Sequence, residues 1–354
     1  MKNSHKISFV LIASVLCLTS SISAQEADKI SAASIIEKTL MDHNPEAAFI
    51  KFRELRAQED TYAISQSEFL TLGSKLHTEG KTREAVAVFN MILDIFPDSH
   101  QACLALGQAY RSLGFQDKAL EQTNRAYDIR NAGALAEFMA KNKDAILTSA
   151  EDVIDRYLAA IGGKENLMKI KTIRMVLTSL DAVHQEASLI RYYKHPHYYR
   201  QTVARSGASM VTDGDHVWRV TSEGWEENPQ SNYRYASDIY GDFIDYENRG
   251  ISYQLLGIEA LDLQVVYCLL KTYKDGNTRE YYFSAESGLF VMERRDFGIG
   301  KDIKRYYDWR AVDGILFPYL FVVTNKVGLG HSHGGIVKEI KINESLKDSL
   351  FMEQ

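Results

Sequence analysis

Two histidine pairs come nearest to a metal-binding motif in this chain: His331 and His333 flank Ser332, and His195 and His197 flank Pro196. Imidazoles two positions apart in an extended segment point to one side and could share a divalent ion. Neither pair has a third ligand nearby in sequence, so solvated turn histidines are the simpler reading and no metal is expected. No G-x-S-x-G nucleophile elbow occurs, and no glycine loop is followed by lysine and serine. The glycines Gly328, Gly330, Gly334 and Gly335 lie between strands instead of opening a helix, which argues against a phosphate cradle. Of three cysteines, Cys17 lies near the N-terminus, while Cys103 and Cys268 are 165 positions apart in apolar surroundings and read as inert core thiols with no disulfide framework. Carboxylate pairs such as Glu226-Glu227 and Asp242 with Asp245 read as solvated surface. Catalytic residues, cofactor and enzymatic activity are therefore not expected.

The remaining candidates are apolar. From residue 171 onward, bulky side chains alternate with polar ones at a period of two, and strand parity selects an inward set. That set comprises Met175 and Leu177, Ile190 and Tyr192, Trp218, Phe290 and Met292, Phe321, and Ile340. Ile336 joins Ile340 on the same parity. The segment from Tyr233 to Tyr246 reads as a short aromatic helix between the two halves of the strand array. It brings Tyr240 and Phe243 either across a cleft mouth or permanently into a barrel interior. A wide antiparallel sheet curled over a helix encloses more volume than its own side chains fill, so these residues, Ile336 apart, are candidates for an apolar ligand cleft.

The elements that must position them are legible. Ser149 begins a capping box, and Val153, Ile154, Tyr157, Leu158 and Ile161 form one stripe of a helix that stops at Gly162-Gly163. Eleven or so strands follow, separated by turn residues at Asp213-Gly214, Asp275-Gly276-Asn277, Ser287-Gly288 and Asp313-Gly314. The fold class is thus multidomain α plus β, the C-terminal part, 148–354, being an antiparallel open, unclosed β-barrel with a capping helix.

Several motifs keep a fixed order along this region. Tyr157-Leu158-Ala159-Ala160-Ile161-Gly162-Gly163-Lys164-Glu165 comes first, then Lys194-His195-Pro196 with Tyr199-Arg200, then Asp213-Gly214 with Trp218. Ile244 to Gly250 follows, and then Tyr307-Asp308-Trp309 with Val312 to Pro318. In this order they resemble the LolA/LolB-like outer-membrane lipoprotein-sorting superfamily. The resemblance implies an unclosed barrel that holds acyl chains or another lipid-like ligand without catalytic residues. A domain fused in front departs from that pattern.

In front of the barrel, residues 30–145 carry a 34-residue offset. Leu72-Gly73, Gly80 and Ala85 return as Leu106-Gly107, Gly114 and Ala119, while Leu76 becomes Tyr110 and Phe89 becomes Thr123. The spacing predicts helices over 66–79, 82–96, 100–113 and 116–130, and these residues resemble a tetratricopeptide repeat. Flanking helices are expected at 32–42, 46–57 and 133–145, because two repeats bury too little core alone. Such repeats imply a groove for a protein or peptide partner.

Residues 1–24 read as a signal peptide: Lys2, His5 and Lys6, the apolar run Ile7 to Leu18, then Ser21-Ile22-Ser23-Ala24. The run is shorter than the roughly 20 residues of a spanning helix. Ser14-Val15-Leu16-Cys17 lacks the lipobox pattern, so a soluble periplasmic location is expected. Cleavage takes the formal charge from −6 to −8, the wrong sign for a nucleic-acid binder. Together these features point to an exported binding protein with a helical recruitment module and a lipid-binding barrel; the alternative is a structural adaptor in a cell-envelope assembly, its barrel filled and without ligand.

Overall fold

The computed structural model describes residues 29–58, 60–180, 188–229, 242–296, 301–325 and 332–352. The expected leader, Tyr240 and His331 lie outside the described residues. Chain contacts divide the protein into two units, Met1–Gly133 and Ala134–Gln354.

The first unit is helical. Its elements are α1 (Ala32–Asp42), α2 (Pro45–Arg56), α3 (Gln66–Thr78), α4 (Thr82–Ile95), α5 (His100–Ser112) and the start of α6 (Gln116–Lys141). Two short strands, β1 (Ile30–Ser31) and β2 (Tyr62–Ala63), pair in parallel. The helix starts follow capping chemistry: Ser31, Asn44 and Ser99 each accept a hydrogen bond from the amide three residues on, and Pro45 sits in the first turn of α2. Apolar positions at helical spacing, among them Ile36, Phe52, Phe69, Leu72, Val88, Phe89 and Leu106, are buried in one core. The expected break between 130 and 133 is absent. Gly133 has open space around it and is carried within the 26-residue α6, since one glycine costs a helix only about 1 kcal/mol.

The 34-residue offset has a physical counterpart. A Cβ on Gly73 would meet the Phe89 ring of α4 at 2.4 Å, and a Cβ on Gly107 would meet Thr123 Oγ1 of α6 at 2.9 Å. Each glycine lets one helix touch the next at the same position of the period, although Phe89 and Thr123 share no chemistry.

In the second unit, α7 (Ala150–Ala160) and α8 (Lys164–Leu167) precede a single sheet. Its strands are β3 (Thr172–Ser179), β4 (Ser188–Lys194), β5 (Tyr198–Val203), β6 (Ser209–Thr212), β7 (Val217–Thr221), β8 (Gly224–Glu227), β9 (Ser252–Leu261), β10 (Gln264–Thr272), β11 (Thr278–Ser284), β12 (Phe290–Asp296), β13 (Lys301–Val312), β14 (Ile315–Asn325) and β15 (Ser332–Ile342). The order is β8-β7-β6-β5-β4-β3-β15-β14-β13-β12-β11-β10-β9, antiparallel throughout, with β8 and β9 as unpaired edges. Among the described residues the sheet has 13 strands and is unclosed. β8 carries Glu226-Glu227, a pair that the sequence suggests is solvated surface.

The stripe of α7 packs on one face of this sheet: Val153, Ile154, Tyr157 and Leu158 share a core with Ile173, Leu177, Tyr281, Phe283, Phe290 and Val337. Its C-terminus is fixed by Leu316 N–H donating to Ile161 O (2.9 Å), beside Gly162, where a Cβ would lie 2.6 Å from Gly314 O. On the other face the chain end covers β4 and β5. Phe351 is buried against Tyr198, Arg200 donates to Leu350 O, and Lys194 pairs with Asp348.

Gly73→Ala should lower unfolding free energy by about 1–3 kcal/mol through overpacking, with Phe89→Leu in the same chain recovering part of the loss. Urea denaturation of the two single variants and the double variant checks this; additive losses would disprove the contact.

Candidate functional site

Between α7 and the face of the sheet it covers lies a cavity of about 210 Å³. Tyr157, Ile161 and Leu167 line it from the helices, and side chains of β3, β4, β11, β12, β13, β14 and β15 complete it. Aromatic rings dominate. Tyr157 stands edge-on to Phe243, Phe283 and Phe290 at centroid distances of 4.9, 5.3 and 6.3 Å, and Phe290 lies 4.9 Å from both Tyr281 and Tyr306.

Five residues selected from sequence line this cavity: Met175, Leu177, Phe243, Phe290 and Phe321. Ile340 packs in the same core without lining it. Ile190 and Tyr192 do not reach it. The register pairs Met175 with Arg191 and Ile173 with Tyr193, so Arg191 and Tyr193 take the inner positions of β4 and their neighbours face away. Trp218 belongs to the row of Tyr192 through Arg200 and Val211, and it packs with His216 and Trp225 instead.

β-Bulges account for two further departures. Tyr282 pairs with Met292 but Phe283 pairs with Phe290, which makes Val291 an extra residue. The slip keeps Phe290 inside, turns Met292 to the opposite face with Val266, Cys268 and Tyr282, and brings Glu293 into the cavity. In β15 the extra residue is Lys338, between the pairs Val337–Leu177 and Glu339–Val176. Val337 and Ile340 therefore point inward, and Ile336 is exposed.

Polar residues in the cavity wall escaped the sequence reading. Glu293 receives a hydrogen bond from Tyr306 Oη (3.1 Å), with Lys304 Nζ at 3.6 Å and Arg279 Nη1 at 3.7 Å. Burial disfavours the Glu293 carboxylate, yet these cations hold it below the usual range. Burial pushes Lys304 down to about 8, opposed by Glu293 and reinforced by Arg191 and Arg279. Arg191 Cζ stands 5.4 Å and Lys304 Nζ 4.9 Å from the Phe321 ring centre, and Arg191 Nε donates to Gln201 Oε1. Arg, Lys and Glu within alternating strands carry no sequence signal for burial; only the register could have revealed them.

Asp242, read as surface from sequence, is completely buried. Its carboxylate takes Lys271, also fully buried, and Arg249, while Tyr253 Oη donates to its backbone carbonyl at 3.0 Å. Desolvation opposes the Lys271 ammonium, but Asp242 together with Tyr253 and Tyr273 outweighs it and raises the group above its ordinary value. This ion pair anchors the residue next to Phe243, which stacks on Tyr253 with ring centres 5.8 Å apart. Residues 242–246 form turns instead of the expected helix, with Phe243 and Ile244 in the core. Phe243 is thus a packed part of the interior. Beside this anchor, a polar hollow of about 560 Å³ is lined by His197, Asp213, Asp215, Arg249, Lys274 and Asp275. Among the described residues, no group of three His, Cys, Asp or Glu side chains is placed to hold a metal ion. Burial raises both remaining thiols, Cys103 and Cys268, the latter to about 11.

No family model and no curated protein matches this chain. Solved structures align with part of it. A LolA superfamily protein from Nitrosomonas europaea aligns over 58% of this chain and 99% of its own, with 13% identity and a TM-score of 0.44. A DUF1329 family protein from Desulfovibrio piger aligns over 57% and 96%, with 15% identity and a TM-score of 0.42. An uncharacterized conserved protein from Thermus thermophilus aligns over 57% and 91%, with 12% identity and a TM-score of 0.24. Among the described residues, no helix is long and apolar enough to cross a membrane.

Two measurements probe the buried charges. Asp242→Asn should destabilise the second unit by about 3–5 kcal/mol, because Lys271 is left buried without its counter-ion, whereas Asp242→Leu with Lys271→Met should recover most of that loss. For Lys304, the folded value near 8 lies below the ordinary 10.5, so between these values the unfolded chain binds more protons and stability rises with pH. The stability advantage of Lys304→Met over the parent should therefore shrink from pH 7 to pH 9.5 in parallel denaturation series; a constant difference would refute the shift.

Proposed function

We propose that this is an exported, non-enzymatic binding protein whose unclosed barrel accommodates a lipid-like or other apolar ligand and whose helical unit recruits a protein or peptide partner. The observation that carries the ligand reading is the 210 Å³ cavity under α7, walled by Tyr157, Met175, Leu177, Phe243, Phe290 and Phe321. An empty apolar space of about 150 Å³ suffices to bind a benzene ring, so this one has room for a ring or the end of a hydrocarbon chain. The order of motifs that resembles the lipoprotein-sorting superfamily supports the same reading.

Partner recruitment is supported by the repeated Gly73–Phe89 and Gly107–Thr123 contacts, which suit a tetratricopeptide-like stack. A shallow hollow along α1 and α3, lined by Ser34, Glu37, Glu68, Thr71 and Lys75, offers polar side chains to an extended segment. A periplasmic location follows from the leader-like residues 1–24.

One observation favours the structural adaptor. The cavity is smaller than the roughly 300–1,000 Å³ usual for small-molecule sites, because the rings of Phe243, Tyr281, Phe290 and Tyr306 fill much of the interior. Native purification followed by organic extraction and mass spectrometry distinguishes the two. A carrier should release a near-stoichiometric apolar compound, and after its removal should take up Nile red. An extract without such a compound, from protein that also leaves Nile red unbound, would assign the adaptor role.

A further inference from the structure

The cavity combines an apolar end with a charged one. Ile161, Leu167 and Ile315 line it near the C-terminus of α7, while Arg191 and Lys304 both stand over the Phe321 ring. Among the described residues, the cations that meet here are Arg191, Lys304 and Arg279, and the carboxylate that faces them is Glu293. Lys304 and Arg279 share that carboxylate at 3.6 and 3.7 Å, distances longer than a direct hydrogen bond. A purely hydrocarbon ligand needs none of these groups, and seating them in an apolar wall is costly.

We propose that the ligand is an anionic amphiphile, its tail lying against Met175, Leu177 and the aromatic wall and its single negatively charged head seated between Arg191 and Lys304. This rests on the apolar-ligand reading and specifies the chemistry of the head. Arg191 offers a planar fork suited to two oxygens, and Lys304 a point charge with rotatable donors. Burial already weakens the hold of Lys304 on its proton, and a bound oxyanion beside it favours the charged ammonium. Glu293 in turn repels a second negative charge, so a monoanionic head fits better than a dianionic one. The carboxylate of a fatty acid and the phosphodiester of a lipid share this chemistry.

Competition against bound Nile red, a neutral probe, tests the assignment on the full chain at pH 7.5. Decanoate should displace the probe at about tenfold lower concentration than decanol, the advantage expected from a charge-assisted contact. Methyl decyl phosphate should match decanoate if a phosphodiester is also accepted and fall to the level of decanol if only a carboxylate fits; either result supports an anionic site. Lys304→Met and Arg191→Gln should each bring decanoate to within about threefold of decanol, and Lys304→Arg should restore the difference. Equal displacement by decanoate and decanol in the parent protein overturns the anionic head and leaves the apolar cleft standing. Failure of Nile red and of both decyl compounds to bind overturns cleft and head together.

Discussion

The second unit depends on the contact of Tyr157 with the sheet. Among the described residues the sheet ends at β8 and β9 without closing, so its curvature must be held by something on its inner face. The stripe of α7 supplies that contact, and Tyr157 is its centre: its ring meets Phe243, Phe283, Phe290 and Trp309, from the 242–251 segment and from β11, β12 and β13. Rings that meet edge to face stay a few ångströms apart at fixed angles, so the helix is held off the sheet where the wall is aromatic. The cavity is the space that this arrangement leaves.

Charge inside this apolar setting is managed in two different ways. Lys271 and Asp242 form a close pair with Arg249 added, and their mutual attraction compensates for burial. The arrangement is structural: it ties the 242–251 segment, which follows the open edge of the barrel in sequence, to β10. Around Glu293 the distances are longer, 3.6 Å to Lys304 and 3.7 Å to Arg279.

Much of the molecule was legible in the sequence for identifiable reasons. The helices of the first unit follow from apolar residues at a 3.6-residue period and from Ser and Asn at the caps. Strands of the second unit follow from alternation and from turn residues such as Asp213-Gly214 and Asp313-Gly314. Met175, Leu177, Phe243, Phe290 and Phe321 were accessible because bulky apolar side chains on one parity belong inside. Ile190, Tyr192, Trp218 and Met292 were misplaced because parity is defined only relative to a partner strand. One extra residue, Val291 or Lys338, reverses every side chain beyond it.

Taken alone, the sequence determined the element types, their order, and the offset that makes Gly73 and Gly107 equivalent. Only the tertiary structure decided which face of each strand is interior, that Asp242 is buried and not solvated, and that Arg191, Glu293 and Lys304 converge in one cavity wall. Period and capping act between residues a few positions apart, so the sequence records them directly. Register, bulges and ion pairing join residues far apart along the chain, as Arg191 and Lys304 are, and they take effect only once the strands between them have paired.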